Sequence, residues 1–243
     1  MLYTEFEGVK DNTLGRIYLL KDVRYPAKTL IAGDFAYNPA WYEDNNGFVF
    51  VNYEETGRKL IKSTISGSGR TYVTRNPIGS ADRHPSVRGN MILCDTTING
   101  RRQIVSLLDN GTEVTILGEG YSPSCHPTAK KAVFIKDGKI FEMDLVTTQV
   151  TEVYSNSNNY KCDNPSYSRD GQTILFQREN AVTGMSGVIR QHIFSISASG
   201  SGGETPLVYG NVDAACPTWG MDNTFYFISN AGGKTEIWRA NLQ

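Results

Sequence analysis

Five proline dipeptides, each in a small polar setting and each followed by a bulky apolar run, constrain this chain more than any other feature. The fullest copy is Asn164-Pro165-Ser166-Tyr167-Ser168-Arg169-Asp170-Gly171, which leads into Thr173-Ile174-Leu175-Phe176. Weaker copies are Asn38-Pro39-Ala40-Trp41 before Phe48-Val49-Phe50, Cys216-Pro217-Thr218-Trp219 before Phe225-Tyr226-Phe227, and the pairs His84-Pro85 and His126-Pro127. Successive prolines lie 46, 42, 38 and 52 residues apart, a period expected of stacked repeats or propeller blades. Proline cannot donate to a sheet ladder, so it marks the start or edge of a strand. Asp170-Gly171 then reads as the two positive-φ positions of a tight hairpin turn.

Six units follow from this spacing, at approximately 1–33, 34–80, 81–121, 122–159, 160–211 and 212–243, within one domain of 243 residues. The first carries three strand-like runs, Leu2 to Phe6, Arg16 to Leu20 and Lys28 to Ile31, around a polar excursion at Asp11-Asn12-Thr13; it lacks the proline strand. The last ends without an outermost strand. Asn99-Gly100, Asn110-Gly111 and Asp137-Gly138 lie between apolar runs, where such pairs signal hairpins. No apolar stripe at helical spacing persists for the ten or more residues an ordinary helix needs, so the chain reads as all-β. Four-stranded units must stack to bury their faces, and six of them make a six-bladed β-propeller.

The run of proline, aromatic, serine, Asp-Gly and apolar strand, with a later strand such as Glu236-Ile237-Trp238-Arg239-Ala240, resembles the TolB-type six-bladed β-propeller repeat, which has WD40-like character. The likeness covers nearly the whole chain. It is close at Pro165, fair at Pro39 and at Pro217 through Met221-Asp222-Asn223, and poor at Pro85 and Pro127, where shorter first hairpins are expected. The resemblance implies a binding scaffold. TolB-like members engage proteins at the channel mouth, prolyl-oligopeptidase relatives gate a separate hydrolase domain, and oligogalacturonate-lyase-like members hold a metal through channel histidines. Fold alone does not choose among these.

If the proline strand is innermost, Asn38, His84, His126, Asn164 and Cys216 occupy equivalent places and approach one axis. Asp82, Arg83 and Asp163 would rim them. Such a ring can hydrogen-bond a partner, or its imidazoles and thiol can take a soft divalent metal; equally, its members can satisfy one another and ordered water. No catalytic or metal residue and no cofactor is assigned. A Gly-x-Ser-x-Gly elbow is absent, His192 is the one further histidine, and two paired histidines fall short of a three-ligand catalytic site.

Tyr37, Tyr121 and Tyr160 precede the prolines and suit a protein or glycan platform as well as packing. Lysine and arginine number 24 against 25 acidic residues, a net charge of −1, which leaves no footprint for nucleic acid or an anionic membrane. No stretch nears the roughly 18 apolar residues of a membrane span, and the start has no leader pattern. A soluble chain is expected, periplasmic or extracellular if a signal was removed. Cys94, Cys125, Cys162 and Cys216 have no CxxC spacing and read as thiols. The expectation is a non-catalytic propeller that binds protein. Alternatives are a metal-dependent polysaccharide-lyase-like enzyme and a structural subunit of a virus particle or secretion machine.

Overall fold

The computed structural model describes residues 1–7, 14–22, 25–220 and 223–242. The excursion at Asp11-Asn12-Thr13 and the pair Met221-Asp222 lie outside them. The described residues form strands and turns with no helix, arranged as six consecutive antiparallel sheets, the blades of a propeller fold. Contacts divide the chain into two compact units, Met1–Tyr121 and Ser122–Gln243.

Unit 1 holds three sheets. The first contains β1 (Leu2–Glu7), β2 (Leu14–Asp22) and β3 (Tyr25–Ala32). The second contains β4 (Ala36–Trp41), β5 (Gly47–Glu54), β6 (Gly57–Thr64) and β7 (Thr71–Tyr72). The third contains β8 (Arg83–Arg88), β9 (Met91–Ile98), β10 (Arg101–Leu108) and β11 (Thr115–Glu119). Unit 2 continues with β12 (Tyr121–Cys125), β13 (Lys131–Lys136), β14 (Lys139–Asp144) and β15 (Val150–Tyr154). Then come β16 (Cys162–Tyr167), β17 (Thr173–Ala181), β18 (Ile189–Ser197) and β19 (Glu204–Val208). A last sheet has β20 (Ala214–Trp219), β21 (Thr224–Ser229) and β22 (Glu236–Asn241).

Second strands supply the core because they are covered on both faces and read as continuous apolar runs. Phe48, Phe50, Ile92, Leu93, Phe134, Ile135, Phe176 and Phe225 are all at most 1% exposed. Within unit 2, Tyr154, Phe176 and Phe194 stack in sequence at 5.1 and 5.7 Å between centroids.

Each proline strand carries a bulge at its proline. The ladder slips between Tyr37 and Ala40, Arg83 and Ser86, Asp163 and Ser166, and Ala215 and Thr218. The skipped pair is the Xaa-Pro dipeptide, so the missing proline N–H leaves no ladder bond unmade. The residue before proline turns left-handed: φ is 48° at Asn38, 47° at His84, 49° at Asn164 and 53° at Cys216. The fifth such residue is Ser122, at 49°, inside β12. The proline strand of that sheet is therefore Ser122-Pro123, and the expected equivalence of His126 with His84 is corrected.

A second slip marks the outer pairing of three sheets, at Ile104/Val105, Ile140/Phe141 and Ile193/Phe194. The same slip joins β2 to β3 at Ile17/Tyr18. By register, then, the first sheet consists of second, third and fourth strands, and the strand it lacks among the described residues is the proline strand. Turn chemistry follows the dipeptides at Asn99-Gly100 (φ 51° and 77°) and Asp137-Gly138 (51° and 74°), two-residue turns of the primed kind. At Asp170-Gly171 only Gly171 is left-handed, at 72°. Asp170 instead accepts from the Ser168 hydroxyl at 2.5 Å and the Gln172 amide at 3.0 Å, closing a longer loop. The first hairpin of the β8 sheet is short, turning at Gly89-Asn90, whereas five residues join β12 to β13.

Candidate functional site

In unit 1 the bulges of β4 and β8 expose two different chemistries. The Asn38 amide donates to the Thr4 hydroxyl at 3.1 Å. His84, 27% exposed at its side chain, directs Nδ1 to Asp95 Oδ1 at 2.7 Å, and Asp95 is 1% exposed. The other carboxylate oxygen accepts from Arg102 Nη2 at 2.6 Å and Nε at 3.1 Å. Arg102 in turn lies over Tyr121, 4.0 Å from the ring centroid. Burial alone would raise the Asp95 carboxyl; the hydrogen bond and charge of His84, with the charge of Arg102, outweigh it and hold the carboxyl below its ordinary value. Because a carboxylate accepts from Nδ1, the imidazole presents Nε2 outward, where it has no partner among the described residues.

The two flanking residues part company. Asp82 is fully buried and accepts from the Ile78 and Gly79 amides at 3.1 and 3.2 Å and from the Thr96 hydroxyl at 2.6 Å. It fastens the loop before β8 and does not rim a mouth, because its oxygens are spent on groups inside the sheet. Burial pushes its carboxyl up despite those bonds. Arg83 is half-buried, with a buried Nε that has no hydrogen-bond partner.

Unit 2 links its three bulge residues into a polar chain. Ser122 donates to Asp163 Oδ1 at 3.0 Å, and the same oxygen accepts the Asn164 backbone N–H at 2.8 Å. Asn164 Nδ2 donates to Gln177 Oε1 at 3.0 Å, which also accepts the Cys216 backbone N–H at 2.6 Å. Asn164 Nδ2 and Cys216 Sγ are 3.8 Å apart. The Cys216 side chain is exposed on one side; burial of its other side, and then the Asp163 charge, raise the thiol to about 11. Cys94, Cys125 and Cys162 are also free, and Cys94 and Cys162 are buried.

His126 does other work. Its Nδ1 accepts the Thr128 and Ala129 amides at 3.2 and 2.9 Å, and its ring meets Tyr167 edge-on at 4.8 Å. It closes the turn after β12 and packs one blade on the next. Among the described residues no three His, Cys, Asp or Glu side chains gather in a metal-binding arrangement. The three tyrosines hold different places. Tyr121 lies under Arg102, Tyr37 packs against the unit 1 core, and Tyr160 is held through its backbone by Asn156.

Ser122, Asp95 and Gln177 escaped the sequence reading. For two of them the signal is a polar residue interrupting an apolar run: Asp95 after Ile92-Leu93-Cys94 and Gln177 after Phe176. A separate cleft in unit 2, about 550 Å³, has Tyr154, Arg178 and Glu204 along its wall. Arg178 is occupied there by Tyr154 at 2.9 Å, Glu204 at 2.9 Å and the Phe194 ring at 4.2 Å.

Neither a family model nor a curated protein matches the chain; solved structures do. TolB from Acinetobacter baumannii is similar at 16% identity and a TM-score of 0.66, over 89% of this chain and 56% of that one. The chain thus spans little more than half the length of that relative. A TolB-type protein of Agrobacterium tumefaciens aligns at 15% identity and 0.72, over 89% and 81%. A chain of the nidogen/laminin complex aligns at 10% identity and 0.71, over 98% and 93%. Matches also include an oligogalacturonate lyase and a prolyl endopeptidase. At these identities the likeness shows the fold alone, a TolB-like six-bladed β-propeller.

Proposed function

We propose that the chain is a non-catalytic binding propeller that engages a protein through the sheet ends where its proline strands begin. The observation that carries this reading is the chain from Ser122 through Asp163, Asn164 and Gln177 to Cys216. The first strands of three successive sheets each hold a left-handed residue at one end, fixed by a neighbour. Left-handed conformations at non-glycine residues cost roughly 1–3 kcal/mol and persist where surrounding structure enforces them, often at binding sites. In unit 1, Asn38, Arg83 and His84 stand at the corresponding ends of β4 and β8, and Asp82 fastens the loop before β8. In unit 2, His126 closes the turn after β12.

TolB and nidogen structures among the similar folds favour a protein as the ligand. The lyase and peptidase structures keep an enzymatic reading in view; that His84 and His126 hold different places in their sheets counts against a metal site built on the two.

The test is affinity capture from an extract of the source cells. Thr218→Arg alters the exposed side of β20 beside Cys216, and Val146→Arg alters the turn at the opposite end of the β14 sheet. A specific protein retained by the parent and by Val146→Arg, and lost with Thr218→Arg, is expected. Capture indifferent to Thr218→Arg, or turnover of peptides or uronate oligosaccharides, would overturn the reading.

A further inference from the structure

Unit 1 carries unneutralised arginine at the end where β4 and β8 begin. The register Tyr53↔Arg58 puts Arg58 at the β5–β6 turn, and Ala36↔Asn52 puts that turn beside the start of β4. Arg83 opens β8 opposite Asp95, and Arg102, opposite Thr97, stands one hairpin further along the same edge. β5 packs against β8, which brings these groups together.

Several arginines elsewhere in the fold have acids. Arg190 meets Asp213 at 3.0 Å, Arg178 meets Glu204 at 2.9 Å, and Arg16 meets Asp34 at 2.6 Å. Arg58 and Arg83 form no ion pair or hydrogen bond among the described residues; Arg58 has only the face of Tyr53, at 5.9 Å. Asp95 is already shared by His84 and Arg102, Asp82 is spent on backbone amides and Thr96, and Glu54 is paired with Lys59 at 2.8 Å. Half-burying a guanidinium without an acceptor is costly, since a buried polar atom without a hydrogen bond forfeits its solvation. Burial, followed by repulsion from Arg58 and Arg102, lowers the Arg83 pKa, against the attraction of Asp95.

We propose that this end of unit 1, through Arg58, Arg83, Arg102 and the outward Nε2 of His84, receives the carboxylates of an acidic segment of a partner protein. Guanidinium forks suit carboxylates. The proposal rests on the protein-docking reading above and names its chemistry.

The experiment titrates the whole chain into fluorescein-labelled hexaglutamate and reads polarisation. Arg58→Gln/Arg83→Gln is compared with the parent, with Arg83→Lys, and with Lys130→Gln/Arg169→Gln, which removes the same charge from exposed positions in unit 2. The expected result is about tenfold weaker binding for the first pair, intermediate binding for Arg83→Lys, and little change for the control. The affinity should fall as salt rises, as for exposed charges. Thermal midpoints confirm that the variants fold, and Arg58→Gln alone, which breaks no contact but the Tyr53 face, keeps the test open should the pair fail to fold. Equal losses in both double variants, or tighter binding of inorganic phosphate or an oligothymidylate of matched charge, would overturn it. If hexaglutamate fails while capture still depends on Thr218, the acidic chemistry falls and the docking surface stands; if hexaglutamate binds and capture does not depend on Thr218, the reverse holds.

Discussion

His84 shows how a single residue acquires both a conformation and a chemical task from its place before proline. The proline behind it forces a bulge, the bulge turns the histidine left-handed at 47°, and the turned side chain meets a carboxylate that the apolar strand β9 has buried. Asp95 is thus the residue on which the local geometry depends. Replacing it with asparagine leaves Arg102 with a weaker acceptor and His84 without an anionic one, at a cost of about 1–3 kcal/mol by the usual value of a charged hydrogen bond. The folded carboxyl is held below its unfolded value, so its contribution is present above about pH 4 and is lost as pH falls through the folded value. Urea midpoints measured from pH 6 down to pH 2.5 should therefore drop more steeply for the parent than for Asp95→Asn. Parallel acid limbs would show that Asp95 carries no such linkage.

At the scale of the hairpin, His126 and Gly171 form a pair that no dipeptide pattern announces. Gly171 is left-handed at 72°, and a Cβ placed on it would fall 2.2 Å from His126 Nε2. Gly171→Ala should cost about 1–2 kcal/mol for the left-handed backbone alone, with a further loss for displacing the imidazole. In a His126→Ala background the second part should vanish, a coupling that a double-mutant cycle of denaturant midpoints measures; strict additivity would contradict the contact. The same hairpins show what the sequence could and could not reveal. Six units, their turns at Asn99-Gly100 and Asp137-Gly138, and a first sheet without a proline strand among the described residues are written in local residue types, because φ preferences and apolar alternation are local properties. The fourth proline strand was not, since Ser122-Pro123-Ser124-Cys125-His126-Pro127 offers two prolines four residues apart. Which one bulges depends on pairing with β13. The partners Asp95 and Gln177 were hidden for the same reason: they reach the bulges across a sheet or from the next blade, and spacing along one chain does not encode that approach. Asp82 misled in the opposite direction, for its polarity serves a loop inside the fold.

For the whole molecule the claim is that a TolB-like six-bladed fold presents the beginnings of its proline strands to another protein. In unit 2 the bulge side chains are already held by neighbours, and bound partners meet least entropic cost on surfaces that are organised beforehand. The most direct measurement places a photo-reactive benzoylphenylalanine at Thr218, exposed on β20, or at Val146, 67% exposed in the turn after β14, and irradiates cells that express each variant. The account predicts one discrete crosslinked protein from position 218 and none from position 146. Crosslinks from position 146 alone, or from neither position, would contradict it.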